Sequence, residues 1–310
     1  MIASVSFGVT AVVVLSTSAQ AASSTETPSA TATAQPASLD PVEELVIGDV
    51  TDVGSAEDIS GPIDSYRPSA KDENRVLLAE YKAMQSCMKR YGLTFDQPVW
   101  TVPSENHDYD RLFGVLDLSE AQSYGYHVPG DAVLASGETE KGADSKSDSA
   151  ELDPAFLDVA MGDGETQVVN GQKIPDGGCI AEARAKIGDD YAIQSLYEEA
   201  VNYGLSQSDR DPRVIAAFGS WSRCMAAFGF DYATPREAIN DPQWATQVVA
   251  AAEIETATAD IKCKVSTGLT SLRVAVAYAW QAEFITTHAK ELDAAIRSFA
   301  TQLTIADSLL

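Results

Sequence analysis

Apolar residues at three- and four-residue steps run through most of the chain beyond Ser69. Behind Ser69, which stands in a capping position, Leu77, Tyr81, Met84, Met88 and Tyr91 line one helical face. The segment "DDYAIQSLYEEAVNYGL" repeats the pattern through Ile193, Leu196, Tyr197, Ala200 and Tyr203, and Gly204 is placed to end it. Asp211, with Pro212 at the first helical position, opens another helix striped by Ile215, Phe218, Trp221, Met225 and Phe228. From Asp241 and Pro242 two long helices are expected to fill the C-terminal third, bent at Gly268. The last carries Leu269, Leu272, Val276, Trp280, Phe284, His288, Leu292, Ile296, Phe299 and Leu303 in one alternating step. A stripe of that length calls for other helices or a second chain to pack against. Shorter helices are predicted from Ser119 to Gly125, and from Pro154 behind an Asp153 cap to Gly162 or Gly164. The one strong β signal is "TQVVNGQKIP", two short strands around an Asn170-Gly171 turn. The predicted fold is mainly α, with one small β-hairpin and a long C-terminal helical hairpin.

Two parts of this pattern are alike. Setting Cys87 against Cys224, an offset of 137, also matches Met88 with Met225, Tyr91 with Phe228, Gly92 with Gly229, Phe95 with Tyr232 and Pro98 with Pro235. Each copy reads as a helix with a Cys in its last turns, then a Gly that closes it in the left-handed conformation. Each is followed by one further Cys on another predicted helix, Cys179 in "GGCIAEARAKI" and Cys263 in "EIETATADIKCKVSTGL". Four cysteines allow three disulfide connectivities. Duplication favours one bridge per copy, Cys87–Cys179 and Cys224–Cys263, each contributing about 4 kcal/mol by restricting the unfolded chain. The fold is thus a two-copy pseudo-repeat of disulfide-stapled helices.

Upstream of Ser69 the pattern changes. Val5 to Leu15 is a short apolar run before the small-residue site Ala19-Gln20-Ala21, the layout of a signal peptide, although no Lys or Arg precedes Arg67. The rival is an uncleaved N-terminal anchor over residues 1–21. No Cys precedes Cys87, so a lipid anchor is not expected. Residues 22–66, rich in Ser, Thr and Pro and then acidic, read as a disordered tether, with folded structure starting near Ser69. The first helical repeat is assigned to 67–205, including an insertion and the hairpin, and the second to 206–310.

Charge narrows the partners. Among 310 residues, 46 acids against 21 bases give a net charge of −25, which disfavours nucleic acid and anionic membrane surfaces. Cationic peptides, metal ions or basic surfaces fit such a field better, although the acid is also what keeps an exported protein soluble; a cell-envelope component or a cationic peptide is the partner expected. A membrane enters only through the N-terminal segment. The chain lacks a nucleophile elbow, a His-Glu-x-x-His pair and a phosphate loop, and "MGDGET" does not continue into a calcium loop. His107, Asp108 and Asp110 in "HDYD" are candidates for an ion site or an acid–base pair. The cysteines are too dispersed, and His107, His127 and His288 too few, for a zinc site, so no metal or cofactor is expected. A Cys-x-x-Cys redox pair is absent as well. His288, on an apolar stripe, reads as a hydrogen-bonded core residue.

Several motifs occur in order: Phe113-Gly114-Val115 on to "YGYHVP" ending at Pro129, "VNGQKIPDGGC" from Val169 to Cys179, "WSRCM" from Trp221 on to Ala238, and Ala257 to Leu269. Together they resemble a group of uncharacterised secreted or lipid-anchored proteins of Actinobacteria. The resemblance implies an extracytoplasmic protein and carries no reaction or ligand with it. The expected function is that of an exported, non-enzymatic cell-envelope protein, a binding or accessory factor. The alternatives are an envelope hydrolase, whose carboxylates meet His107 or His127 only in the fold, and an acidic capture protein for cationic peptides or metal ions.

Overall fold

The computed structural model describes residues 45–96, 98–99, 101–102, 111–129, 154–164, 166–188 and 191–310. The described residues belong to one compact unit, Asp40–Leu310. The expected signal peptide or anchor, the Ser/Thr-rich stretch that follows it and the His107, Asp108, Asp110 cluster lie outside them.

The repeated motif is two helix endings of identical backbone form. Helix α1, Ala70–Arg90, starts where the Ser69 side chain accepts the Asp72 amide and ends at Gly92, whose φ is 74°. There the Gly92 amide donates to the Lys89 carbonyl, and the Leu93 amide donates to that of Met88. Five helices on, α6, Pro212–Ala227, ends at Gly229 with φ of 91°. Gly229 donates to Ala226 and Phe230 to Met225, the same pair of closing bonds shifted by the repeat. A side chain at either glycine would meet the left-handed steric penalty, which fixes the residue type.

Between them lie α2, Leu118–Tyr124, α3, Pro154–Met161, α4, Gly178–Ile187, and α5, Ala192–Ser208. The hairpin pairs β1, Val168–Val169, with β2, Gln172–Lys173, and Asn170 and Gly171 take positive φ at its turn. After α6 come the short α7, Pro235–Ile239, and then α8, Ala251–Thr267, α9, Leu269–Thr287, and α10, Ala289–Leu309. Among the described residues the chain is therefore mainly helical, with one two-stranded sheet. Cys87 is bonded to Cys179, joining α1 to α4, and Cys224 to Cys263, joining α6 to α8; both pairs have Cα atoms 5.6 Å apart.

Five features depart from the pattern read along the chain. Ordered structure begins before Ser69. Leu45 and Ile47 pack on the core around Trp221, Val53 donates its amide to Ser271 at 3.0 Å, and Ile59 and Ile63 are buried from two 3₁₀ turns, Ala56–Asp58 and Pro62–Tyr66. The few apolar residues of this acidic stretch suffice because each inserts into a preformed helical surface. Gly204 does not end α5 but lies inside it, buried against α9, where an added Cβ would be 2.7 Å from the Ala277 carbonyl oxygen. Asp241 and Pro242 open only a 3₁₀ turn, Pro242–Trp244, and the long helix waits until Ala251.

The long terminal stripe is not one helix. It breaks at His288, a half-buried junction whose ring stacks on Phe284 with centroids 3.9 Å apart and whose Nδ1 lies 3.0 Å from the Phe284 carbonyl. The break resets the phase, so α10 buries Leu292, Ala295, Gln302 and Ala306 and exposes Ile296. Ile215 and Phe228, expected on the inner stripe of α6, are also exposed. The packing interleaves the two halves of the chain: α5 lies on α9, α1 on α10 and α4, and α2 and α6 on α8. No described helix is long and apolar enough to cross a membrane.

Candidate functional site

Helix α8 is where the motifs converge. Its Glu253, Ala257, Asp260 and Lys264 are spaced by four, three and four residues and share one face, and all four are buried. Three of those four are charged, where an amphipathic helix would place apolar side chains. Their surroundings explain how burial is tolerated. Asp260 accepts from the Trp221 indole at 2.9 Å through one oxygen and from the Lys264 ammonium at 2.7 Å through the other. Lys264 also reaches the Val115 carbonyl at 3.4 Å. Burial pushes the Asp260 carboxyl up from its ordinary value, while Lys264 and Trp221 pull against that shift.

The "FGV" and "YGYH" motifs supply the other wall. Gly114 has φ of 85° and leaves room that a Cβ would take from the Lys264 Nζ, 2.7 Å away. Gly125 ends α2 and passes Glu253 where a Cβ would stand 2.8 Å from its carboxyl carbon. That close approach lets Glu253 Oε1 accept both the Tyr126 amide at 2.8 Å and the His127 Nδ1 at 2.7 Å. Arg111 holds the turn from outside, donating to the Tyr126 and His127 carbonyls at 2.8 Å each and pairing with Glu120. The Tyr126 phenol is driven well above the tyrosine range by burial and by the nearby Asp260 carboxylate.

His127 is the most informative residue of this knot. Its Nε2 faces the Thr246 carbonyl at 2.6 Å while Nδ1 faces Glu253, so both ring nitrogens point at acceptors. Only the imidazolium satisfies both contacts. Burial lowers its pKa, but the bonds to Thr246 and Glu253 outweigh that and raise it above the ordinary value.

Comparison with family models, with curated proteins and with solved structures finds no match to the chain.

The chemistry this geometry offers is closure. A base or nucleophile needs a free lone pair directed at a substrate. His127 has both nitrogens committed and Asp260 both oxygens. Of the histidines within the described residues, His127 sits on the α2–α8 contact and His288 at the α9–α10 junction; His107 lies outside the described residues. Among the described residues, no three His, Cys, Asp or Glu side chains come together in a form that could hold a metal ion. Two open grooves border α8. One of about 330 Å³ runs between Val53, Leu116, Val265 and Ser271 with Lys264 at its floor. The other, of about 310 Å³, lies between Phe228 and Phe230 and the early turns of α8.

Sequence reasoning singled out the four cysteines and His127, quoted Asp260 and Lys264 only as part of the Ala257–Leu269 motif without a role, and missed Glu253 and Arg111. The available signal was the 253, 257, 260, 264 spacing inside a helix already predicted, with a small residue among the acids. An acidic chain hides it, since charge at helical spacing is the ordinary look of a solvated face.

Proposed function

We propose that the protein is an exported, non-enzymatic factor of the bacterial cell envelope that acts by contact, as a binding or accessory component. The observation that carries this reading is the pair of disulfides, each closing the same helix-end motif. Two staples in one chain are compatible with an oxidising, extracytoplasmic location, and they are costly to maintain in a reducing cytosol. The apolar run and small-residue site at the N-terminus support export, and the motif resemblance to secreted actinobacterial proteins agrees with it. The buried knot supports a structural role for the polar residues, because its donors and acceptors are spent on one another. The hydrolase alternative requires two convergent acids beside an available histidine, whereas His127 meets one acid and has no free nitrogen.

The test is fractionation of expressing cells combined with thiol alkylation before and after reduction. The expected outcome is protein outside the cytoplasm, lacking its leader or held by it, with four thiols labelled only after reduction. Cytoplasmic protein with four alkylated cysteines would reject the reading.

A further inference from the structure

The two staples differ at the surface of the helix cap. In the first copy the hairpin covers it. Asn170 donates its amide to the Tyr91 carbonyl at 2.6 Å, Gln172 donates to that of Arg90 at 3.1 Å, and the Tyr91 hydroxyl donates to the Lys173 carbonyl at 2.8 Å. Tyr91 is only 3% exposed beneath it. The second cap has the same backbone bonds but no hairpin. Phe228, at the position of Tyr91, is 51% exposed. Among the described residues none donates to the Ala227 or Phe228 carbonyl, the counterparts of Arg90 and Tyr91. A Cβ on Gly92 would lie 3.2 Å from the Asn170 side chain, whereas one on Gly229 would meet nothing within 4 Å. Beside this uncovered cap lies the 310 Å³ groove, walled by Phe228, Phe230, Ile254 and Thr258 and flanked by Glu255 and Lys262.

We propose that this groove docks a cationic, extended segment of another polypeptide, which presents an Asn or Gln side chain to the Ala227 and Phe228 carbonyls. The repeat states what such a cap accepts: two carboxamides on the last carbonyls and a short run of apolar side chains over the aromatic ring. The two terminal carbonyls are hydrogen-bond acceptors at the negative end of α6, so a donor-rich, positively charged segment suits them. Glu255 and the exposed Asp231 add acid beside the cap against the single base Lys262, within a chain of net charge −25. That same charge opposes pairing of two copies through this face. The inference rests on the reading that the protein acts by contact, and it names the surface and the class of partner.

The probe is a synthetic peptide of the chain's own hairpin, Gln167–Ile174, with two lysines added at its N-terminus, titrated into the full-length oxidised protein and followed by amide chemical shifts. The expected result is perturbation centred on Phe228, Gly229, Phe230 and Ile254, and weaker binding as salt is raised. Binding should fall about tenfold in Phe228→Ser. It should also fall when the peptide's Asn is replaced by Leu. Phe228 is an exposed side chain, so the variant is expected to fold, and its circular dichroism checks that. No perturbation at the cap, equal binding by the Leu peptide, or a concentration-dependent dimer that buries Phe228 would each overturn the proposal. Localisation and thiol state are read separately, so an exported, fully oxidised protein that ignores the peptide rejects this surface alone.

Discussion

The Trp221 indole donates to the Asp260 carboxylate at 2.9 Å with both side chains out of contact with water, and Lys264 completes the carboxylate from the next turn of the same helix. Removing the ammonium strands a buried charge. Lys264→Met is therefore expected to destabilise the protein by about 3–5 kcal/mol, and Asp260→Leu combined with Lys264→Met to recover most of that loss. Urea unfolding of the two variants checks it. A double variant no more stable than the single one would show that the ion pair itself holds α8 in place.

Gly204 inverts the usual rule for glycine in a helix. Ala at an open helical position stabilises by about 0.5–1 kcal/mol, and Gly219 in α6, whose added Cβ would come no nearer than 3.7 Å to another group, is expected to behave that way. At Gly204 the same change drives a methyl into the Ala277 carbonyl oxygen of α9. Gly204→Ala should lower the thermal midpoint while Gly219→Ala raises it. Parallel melts decide the matter, and a rise in both would sink the close-packing argument.

The staples should be thermodynamically separable. Cys224→Ser and Cys263→Ser are each expected to cost about 4 kcal/mol, and the double replacement to add little, since either one removes the same bond. The Cys87 and Cys179 variants should form a second such set. Calorimetry on the six proteins tests this, and additive losses within a pair would argue against the observed connectivity.

His127 makes stability depend on pH with a definite sign. Its folded pKa is raised above the ordinary 6.5, so the folded chain holds the proton more tightly than the unfolded one. The contribution is present in full below 6.5 and is lost as pH climbs through the folded value. Thermal midpoints of the native protein relative to His127→Gln should narrow from about pH 6 to pH 8. A ring titration by NMR at or below 6.5 would contradict the geometry of two acceptors.

The parts legible in the sequence are those decided by local rules. Ser69, Asp211, Gly92 and Gly229 mark helix ends through steric and capping preferences that act within a few residues, and the repeat then dictated which cysteines meet. What escaped is decided at long range. Whether Gly204 stops a helix or lets another helix approach depends on Ala277 of α9, more than seventy residues away along the chain. The His288 break left the three-to-four spacing of apolar residues almost undisturbed, so periodicity read across it. The acidic segment from Leu45 to Tyr66 has weak local preferences and is ordered only by the surface beneath it. The α8 knot looked like a solvated face because its partners, Gly125, His127 and Trp221, come from other elements.

The first helix of the folded body lies against the last. Arg75 pairs with Asp307, Lys82 reaches the Leu310 carbonyl, and Ala79 is buried with Ala306. Whatever α1 builds with α4, its other side stays uncovered until α10 is in place. The packing of α1 is thus complete only once α10 has docked on it. Displacing α10 would uncover α1 as well, so the two ends of the folded body open together rather than fray independently.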